Sequence, residues 1–224
     1  MLDQPPAQAD RAKQMATASH VLARQALVTA FGHVSVRAGA NNFVITPPVA
    51  LGSVTNTTEL ITVEIDANVL PQGAPGETWI HVAIYRARPD VRSVVRAQPP
   101  SSHPASVASA ALYPIHGQGA WLGRVLPVHE DAKLVRSGEA GHAVAQALGD
   151  ARAVLLRGNG AVTVGTDPYE AATLQWVVEQ SCAHMLRAAA LAPRPLQDQE
   201  CDAWFKTWPE LWPRLWSYLE THHE

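Results

Sequence analysis

The spacing of apolar residues along the chain changes between a helical period and a strand-like alternation. Residues 9–30 carry apolar side chains at intervals of three and four, which predicts a first helix that ends at Gly32. The segment HVSVRA then alternates apolar and polar positions, and FVIT follows after an NN turn and stops at Pro47 and Pro48. These two segments are predicted to be strands.

The same two patterns recur further along the chain. ELITVEID and VRSVVRA predict two more strands, and ETWIHVAIYRARPD between them predicts a short helix that Pro89 stops. Two later apolar runs flank Gly158-Asn159-Gly160, a composition typical of a tight turn. A long helix follows, with Asp167 as its predicted N-cap, Pro168 at its first position and Glu170 at the N3 position of a capping box.

The C-terminal segment, residues 199–224, repeats tryptophan at positions 204, 208, 212 and 216. A four-residue spacing places these side chains on one helical face, but Pro209 and Pro213 are expected to break or restart the helix. Since so many apolar residues need a partner surface, the segment is predicted to pack on the protein's own core or on a neighbouring subunit. The alternative is an aromatic wall or lid over a pocket, which would suit an aromatic or polyketide-like substrate.

Composition narrows the class of protein. The chain has 224 residues, of which 47% are hydrophobic and 17% charged, and short strands with segregated helices predict one α/β layered domain over residues 1–224. The net charge of −3 provides no basic surface for nucleic acid or an anionic membrane. No apolar run is long enough to span a bilayer, and the polar N-terminus does not resemble a signal peptide. Two cysteines argue against a disulfide framework, so a cytoplasmic protein that acts on a small molecule is expected.

The strand VRSVVRA ends in two polar side chains on one face. Arg96 and Gln98 occupy alternate positions, so they point to the same side. Arg96 is permanently cationic and has no lone pair for a metal, but its guanidinium group can bind a carboxylate or an oxyanion. Gln98 and Asn159 are neutral amides that bind zinc poorly and can orient a hydroxyl or carbonyl group. Asn159 also has a purely local explanation, because Asn between two glycines tolerates left-handed backbone geometry.

The order of these segments resembles the class II aldolase/adducin family, and especially its branch of aromatic-acid decarboxylases and sugar-acid lyases. The matching segments are FGHVSVR, ITP, VEIDANV, HVAIYRARPDV, SVVRA and VLLRGNGAVTVG, in family order from about residue 12 to about residue 190. The resemblance implies a class II aldolase-like layered α/β domain, with a central, mainly antiparallel sheet flanked by helices. It also implies a homotetramer with its active site between subunits.

The resemblance further implies a divalent metal, typically zinc, held by three histidines, and a glutamate that acts as acid and base. Glu77 matches the glutamate, whereas Arg96, Gln98 and Asn159 stand at the three histidine positions. Because all three imidazoles are missing, no metal and no other cofactor is expected at this site. Glu77 is the predicted acid/base, with a helix N-cap carboxylate as the alternative interpretation.

Four further histidines complete the predicted site. His81 lies four residues after Glu77, on the same helical face, and is predicted to assist it or to support the site structurally. His33 stands where sugar-phosphate aldolases favour Asn, and His103 and His116 lie in loops expected to approach the pocket; all three are predicted to contact substrate. The alternative is that His81, His103 and His116 hold a relocated metal.

The loops that bind substrate phosphate in the family's aldolases match Pro47-Pro48-Val49 and Ala74-Pro75-Gly76. These residues supply neither hydroxyl groups nor many amide donors, so a phosphorylated sugar is disfavoured.

These observations lead to a first functional hypothesis, a metal-independent lyase for a small non-phosphorylated carbonyl compound or carboxylic acid. Decarboxylation, retro-aldol cleavage, dehydration and related enolisation all remain open, with Arg96 and Gln98 stabilising oxyanion charge and Glu77 moving the proton. A non-catalytic binding or scaffold protein of the same fold is the second hypothesis. A metalloenzyme with a relocated metal is the third.

Overall fold

The computed structural model describes residues 8–222, which form one eight-stranded sheet with helices on both faces. The strands are β1 (His33–Arg37), β2 (Asn42–Ile45), β3 (Ile61–Glu64), β4 (Ser93–Ala97), β5 (Ala111–Leu112), β6 (Leu126–His129), β7 (Ala153–Leu156) and β8 (Gly160–Gly165). The helices are α1 (Gln8–Arg24), α2 (Thr78–Ala87), α3 (Ser102–Ala108), α4 (Gly138–Leu148), α5 (Pro168–Ala188), α6 (Asp198–Phe205) and α7 (Trp208–Thr221).

The strand order is β3-β2-β1-β4-β8-β7-β6-β5. All neighbouring strands are antiparallel except β6 and β7, which are parallel. This arrangement confirms the expected layered α/β fold with a mainly antiparallel sheet. Strand β4 lies between β1 and β8 near the middle of the sheet, so the end of β4 is enclosed by neighbours on both sides.

Helices cover both faces of β4, which explains why this strand is apolar at successive positions. Val94 packs in one hydrophobic cluster with Ile80 of α2, and Val95 packs in a second cluster with Leu22 of α1. Arg96 follows on the same side as Val94, because strand side chains alternate between faces. Its guanidinium group is therefore carried to the layer that contains α2.

The first helix is shorter than its sequence pattern predicts. Helix α1 ends at Arg24 rather than at Gly32, and the chain turns through Ala26 with φ of 53°. The backbone N–H of Gln98 then donates to the carbonyl of Leu27 at 2.9 Å. The segment after α1 is thus held against the end of β4, a long-range contact that helical periodicity does not reveal.

The predicted start of α5 is correct, but the predicted capping box is not. Asp167 accepts a hydrogen bond from the backbone N–H of Glu170 at 2.8 Å, and Pro168 occupies the first position. The Glu170 carboxylate accepts instead from the backbone N–H of Thr166 at 2.6 Å and from the indole N–H of Trp208 at 2.6 Å. Glu170 therefore links the start of α5 to the tryptophan-rich C-terminal segment.

That segment forms two helices, and the tryptophans of α7 pack in the hydrophobic clusters of the core, whereas Trp204 of α6 is 41% exposed beside Trp121. Trp208 and Trp216 are 2% and 8% exposed and belong to two different hydrophobic clusters. A new helix starts at Trp208, beside Pro209, as predicted, but helix α7 continues through Pro213, so the prediction is wrong for Pro213. Pro209 lies in the first turn, where a missing N–H is harmless, and burial on either side of Pro213 offsets its lost hydrogen bond.

Two expectations about the whole chain also have structural counterparts. Cys182 and Cys201 are both buried and free, as the absence of a disulfide framework predicts. Within residues 8–222, no helix combines the length and apolar character that a membrane span requires.

The contact between α2 and α4 generates a stability prediction. A methyl group at Gly141 of α4 would overlap the carbonyl oxygen of Trp79, whereas one at Gly138 would meet the Trp79 ring at an ordinary 3.6 Å. We expect Gly141→Ala to lower the free energy of unfolding by about 1–3 kcal/mol through overpacking. Gly138→Ala should leave it unchanged or raise it by up to about 1 kcal/mol. Urea unfolding at one protein concentration measures both, and equal effects would contradict this packing.

Candidate active site

A cavity of about 430 Å³ lies at the end of β4, between the start of α2 and the β7–β8 turn. Its polar lining consists of six side chains: His33, Glu77, Arg96, Gln98, Arg136 and Asn159. Five of these six are predicted site residues, and Arg136 is new. The structure thus brings the end of a strand, the start of a helix and a tight turn to one place.

The sheet register explains how Arg96 and His33 come together. Arg96 of β4 stands directly opposite His33 of β1 on one side and Val162 of β8 on the other. Residues directly opposite each other in antiparallel strands point to the same face. Glu77 immediately precedes α2 on that face, so the carboxylate and the guanidinium group meet.

Arg96 and Glu77 form a buried ion pair, with Nη2 of Arg96 3.1 Å from Oε2 of Glu77. The two residues are only 1% and 8% exposed. Asn159 completes the cluster: its Nδ2 donates to Oε1 of Glu77 at 3.1 Å, and its Oδ1 accepts from Nη2 of Arg96 at 2.7 Å. Gln98 donates more weakly to the same Oδ1 at 3.4 Å. Arg96, Gln98 and Asn159 therefore form a hydrogen-bonded cluster with Glu77.

The local explanation for Asn159 does not hold. Gly158 and Gly160 adopt positive φ of 66° and 92°, while Asn159 is not among the described residues with positive φ. A Cβ at Gly160 would also overlap the carbonyl oxygen of Ala97. The two glycines thus meet the conformational demands of the turn, and the Asn159 side chain serves the ion pair instead.

Glu77 is the N-cap residue of α2, but its side chain accepts no capping hydrogen bond from the helix backbone. Its carboxylate accepts from Arg96 and Asn159. The N-cap interpretation therefore accounts for the position of Glu77 but not for the contacts of its side chain.

Arg96 has hydrogen-bond donors that no described residue uses. Its Nε and Nη1 are buried and have no hydrogen-bond partner among the described residues, and the same is true of Nδ1 of His33 and Nε2 of His81. Burial lowers the pKa of Arg96 from its usual value, while the charge of Glu77 opposes that shift. A guanidinium group remains protonated in proteins, and an unsatisfied buried donor costs about 1–3 kcal/mol. An acceptor bound at this cluster would remove that cost.

His33 is a neutral imidazole in this environment. Burial, and secondly the charge of Arg96, lower the pKa of His33 from 6.5 to about 3. It therefore faces the cavity as an uncharged group that can donate or accept a hydrogen bond. This placement agrees with its predicted contact with substrate.

His81 does not line the cavity. It is fully buried behind His33, with ring centroids 6.0 Å apart, and its Nδ1 lies 2.7 Å from the Ser35 hydroxyl, which contacts the Tyr85 hydroxyl at 2.9 Å. Burial, and then the proximity of His33 and Arg96, lower the pKa of His81 well below its usual value. His81 lies one helical turn after Glu77, and this part of α2 is already in the core. The expected direct catalytic role of His81 is therefore corrected to a role in positioning the site.

His103 and His116 are also absent from the lining of this cavity. His103 lies in α3, and Nε2 of His116 contacts the Ser181 hydroxyl at 3.1 Å beside the ring of His184, at 4.7 Å. Within residues 8–222 of one chain, no group of three or more His, Cys, Asp or Glu side chains is arranged to hold a metal. The structure therefore does not assemble the relocated metal site from His81, His103 and His116.

The remaining lining is apolar and comes from four separate loops. It consists of Phe31, Pro48, Pro75, Gly76 and Leu134. Pro48, Pro75 and Gly76 belong to the two loops that match the phosphate-binding loops of the family's aldolases. Phe31 and Leu134 are 66% and 53% exposed. One wall of the cavity can therefore contact an apolar ring.

Sequence reasoning missed Arg136, Phe31 and Leu134 because they occur in irregular segments. Arg136 lies between β6 and α4, and nothing in its local sequence signals an approach to Glu77. The usable signal is its position just before Ser137, the residue whose side chain caps α4. A cation next to the partly positive N-terminal end of a helix is electrostatically unfavourable. The presence of Arg136 there therefore points to another role for this side chain.

Fold and site together define a class II aldolase-like domain with a buried Arg–Glu pair at its candidate active site. The family model of the Class II Aldolase and Adducin N-terminal domain matches residues 13–186. The chain belongs to this family.

Among relatives, the 3,4-dihydroxyphthalate decarboxylase of Arthrobacter keyseri is 31% identical over 200 residues, which cover 82% of this chain and 80% of the relative. Decarboxylase tropJ of Talaromyces stipitatus is 26% identical over 170 residues, or 65% of this chain and 64% of the relative. The L-fuculose-1-phosphate aldolase of Thermus thermophilus superposes with a TM-score of 0.72 at 29% identity, over 82% of this chain and 97% of that one. By these relationships the chain is an enzyme of the lyase class.

The buried state of His33 generates a pH prediction. Below pH 6.5 the unfolded chain binds a proton at His33 that the folded chain, with a pKa of about 3, does not bind. The stability of the folded state therefore falls with decreasing pH across this range, by up to about 1.4 kcal/mol per pH unit from this group. We expect His33→Gln to remove much of this slope between about pH 6 and about pH 4.

Urea unfolding at several pH values measures the effect, and the exposed His142→Gln is the matched control. If both variants follow the pH dependence of the unmodified protein, His33 is not held neutral as described.

Proposed function

We propose that this enzyme decarboxylates a small, non-phosphorylated aromatic carboxylic acid and that it does so without a metal ion. The observation that carries the proposal is the closed cluster of Arg96, Glu77 and Asn159 at the cavity. It combines a fixed positive charge with a carboxyl group able to transfer a proton. The names of two relatives, both decarboxylases, support the reaction type.

The charges of the cluster suit an acid substrate. The Glu77 carboxylate is the anionic partner of Arg96. A substrate carboxylate that approaches Arg96 competes for the same guanidinium group and lies next to the Glu77 carboxyl group, which is the proposed proton donor.

The proposed step transfers the Glu77 proton to the ring carbon that carries the substrate carboxylate. The bond between that carbon and the carboxylate then breaks, its electron pair returns to the ring, and CO₂ leaves. Glu77 regains a proton from solvent. Arg96 and the Gln98 amide would stabilise negative charge on the substrate oxygens during this step, while neutral His33 orients the substrate.

Two observations favour an aromatic substrate over a phosphorylated sugar. Pro48 and Pro75 occupy the loops that would have to supply donors to a phosphate. Phe31 and Leu134 expose apolar surface at the same cavity. A ring is better suited to such a wall than a sugar phosphate, because aromatic groups gain from apolar and stacking contacts.

The donor set does not fit the zinc ion that family resemblance implies. Arg96 has no lone pair to donate, and the amides of Gln98 and Asn159 are poor replacements for imidazole. Moreover, the Arg96 charge would repel a dication at this position. We therefore assign the electrostatic role to Arg96, and no step of the proposed reaction passes through a metal.

The other lyase reactions remain related alternatives, since retro-aldol cleavage, dehydration and enolisation need the same proton carrier and oxyanion contacts. The scaffold alternative is disfavoured, because relatives that align with most of this chain are named as decarboxylases. A homotetramer with its site near a subunit boundary is also part of the proposal, and the exposed Phe31 offers an apolar contact surface there. Light scattering during size-exclusion chromatography tests the assembly.

Glu77 provides the main test of the chemistry. We expect Glu77→Gln to lower kcat for 3,4-dihydroxyphthalate by about 10²–10⁴-fold, because the general acid is lost. Asn159→Ala should have a smaller effect, about tenfold, because it removes one of the donors that hold Glu77. The exposed Glu130→Gln is the matched control and should retain full activity. Turnover is measured as CO₂ release with circular dichroism to confirm folding, and an active, folded Glu77→Gln would refute the assignment.

Metal independence is tested separately. We expect the purified enzyme to contain substoichiometric metal and to keep its activity after dialysis against a chelator, because Arg96 occupies the position of the dication. Elemental analysis and the rate of CO₂ release before and after dialysis are the measurements. A stoichiometric metal whose removal abolishes activity, and whose return restores it, would overturn this part of the proposal.

A further inference from the structure

The charges around the cavity do not cancel. Glu77 and Arg96 neutralise each other in their ion pair. His33 is uncharged, because its pKa is lowered to about 3 by burial and by Arg96. Gln98 and Asn159 are neutral amides. The one remaining charged side chain of this lining is Arg136, so the cavity carries a net positive charge in a protein with a net charge of −3.

Arg136 is not neutralised within the described part of its own chain. No carboxylate of residues 8–222 forms an ion pair with it, although Asp131 and Glu139 lie in the same stretch of sequence. Unlike Arg88 and Arg124, which hold carboxylates at 2.7–2.8 Å, it leaves its guanidinium group open to a ligand.

This guanidinium group lies against Gly76, with Nη1 3.1 Å and Cζ 3.4 Å from where a Cβ of residue 76 would be. Gly76 immediately precedes Glu77, and both line the cavity. The absence of a side chain at position 76 therefore lets a second cation approach the wall next to the acid.

We propose that Arg136 binds a second acidic group of the substrate, one that the reaction does not remove. This inference rests on the proposed function and deepens it. The carboxylate that is lost would lie at the Arg96–Glu77–Asn159 cluster, and a second carboxylate would be held by Arg136 at the other polar part of the lining. The substrate class is then an aromatic ring with two acidic groups, and the product keeps the group bound to Arg136.

Binding of simple ring compounds tests this without turnover. Phthalate has two carboxylates, benzoate has one and catechol has none. We expect the unmodified enzyme to bind phthalate about tenfold more tightly than benzoate, because a charge-assisted hydrogen bond is worth about that factor. Arg136→Gln should weaken phthalate binding about tenfold or more and leave catechol binding unchanged. Isothermal titration calorimetry measures all three dissociation constants.

Lys133→Gln is the matched control. Lys133 lies in the same segment, is 89% exposed and does not line the cavity, so its removal deletes the same charge nearby without touching the proposed contact. We expect its affinities for all three ligands to equal those of the unmodified enzyme. Equal losses in both variants would show a general electrostatic effect and overturn the proposal.

Three other results would also overturn it. If phthalate and benzoate bind equally well, the site does not recognise a second acidic group. If Arg136→Gln binds phthalate as tightly as the unmodified enzyme, Arg136 does not contact the ligand. A loss of all three ligands together with dissociation on size-exclusion chromatography would show that Arg136 serves a subunit contact instead.

Kinetics separate this inference from the proposed function. With 3,4-dihydroxyphthalate, Arg136→Gln should raise KM about tenfold and change kcat much less, the pattern of a binding contact made equally in the ground and transition states. If phthalate binding depends on Arg136 but no aromatic acid loses CO₂, the reaction is wrong and the binding site stands. If decarboxylation depends on Glu77 but Arg136→Gln leaves KM unchanged, only the inference about Arg136 is wrong.

Discussion

The buried ion pair between Arg96 and Glu77 is the interaction on which the rest of the site depends. Removing one partner of such a pair leaves an uncompensated buried charge, at a cost of about 3–5 kcal/mol. The two partners lie on β4 and at the start of α2, and Asn159 joins them from the β7–β8 turn. One electrostatic requirement thus fixes the relative positions of three elements that are distant in sequence.

The same pair determines the electrostatics of its surroundings. Burial, and secondly the charge of Arg96, lower the pKa of His33 and keep it neutral. Burial is also the main reason why the pKa of His81 is lowered, with His33 and then Arg96 adding to the effect. Because Glu77 neutralises Arg96, the net charge of the cavity lining is that of Arg136. The positive charge at this end of β4 is covalently attached to the chain through Arg96.

Local sequence patterns predicted elements well where neighbours along the chain decide the outcome. The stop of α2 before Pro89 and the Asp167 cap of α5 are of this kind. They failed where a distant contact competes. Helix α1 ends early because the segment after it is hydrogen-bonded to the end of β4. Helix α7 continues through Pro213 because tryptophans on both sides of the proline pack on the core.

The sequence by itself determined the layered α/β class and the strand that carries Arg96 and Gln98, because periodicity and residue identity are local properties. The mainly antiparallel sheet and the three expected histidine positions came from the resemblance to the family. Only the tertiary structure decided which polar residues meet. It placed Glu77, Arg96, Asn159 and His33 around one cavity and excluded His81, and it added Arg136 from an irregular segment. Sheet register and loop paths set such distances, and they depend on packing between residues far apart in the chain.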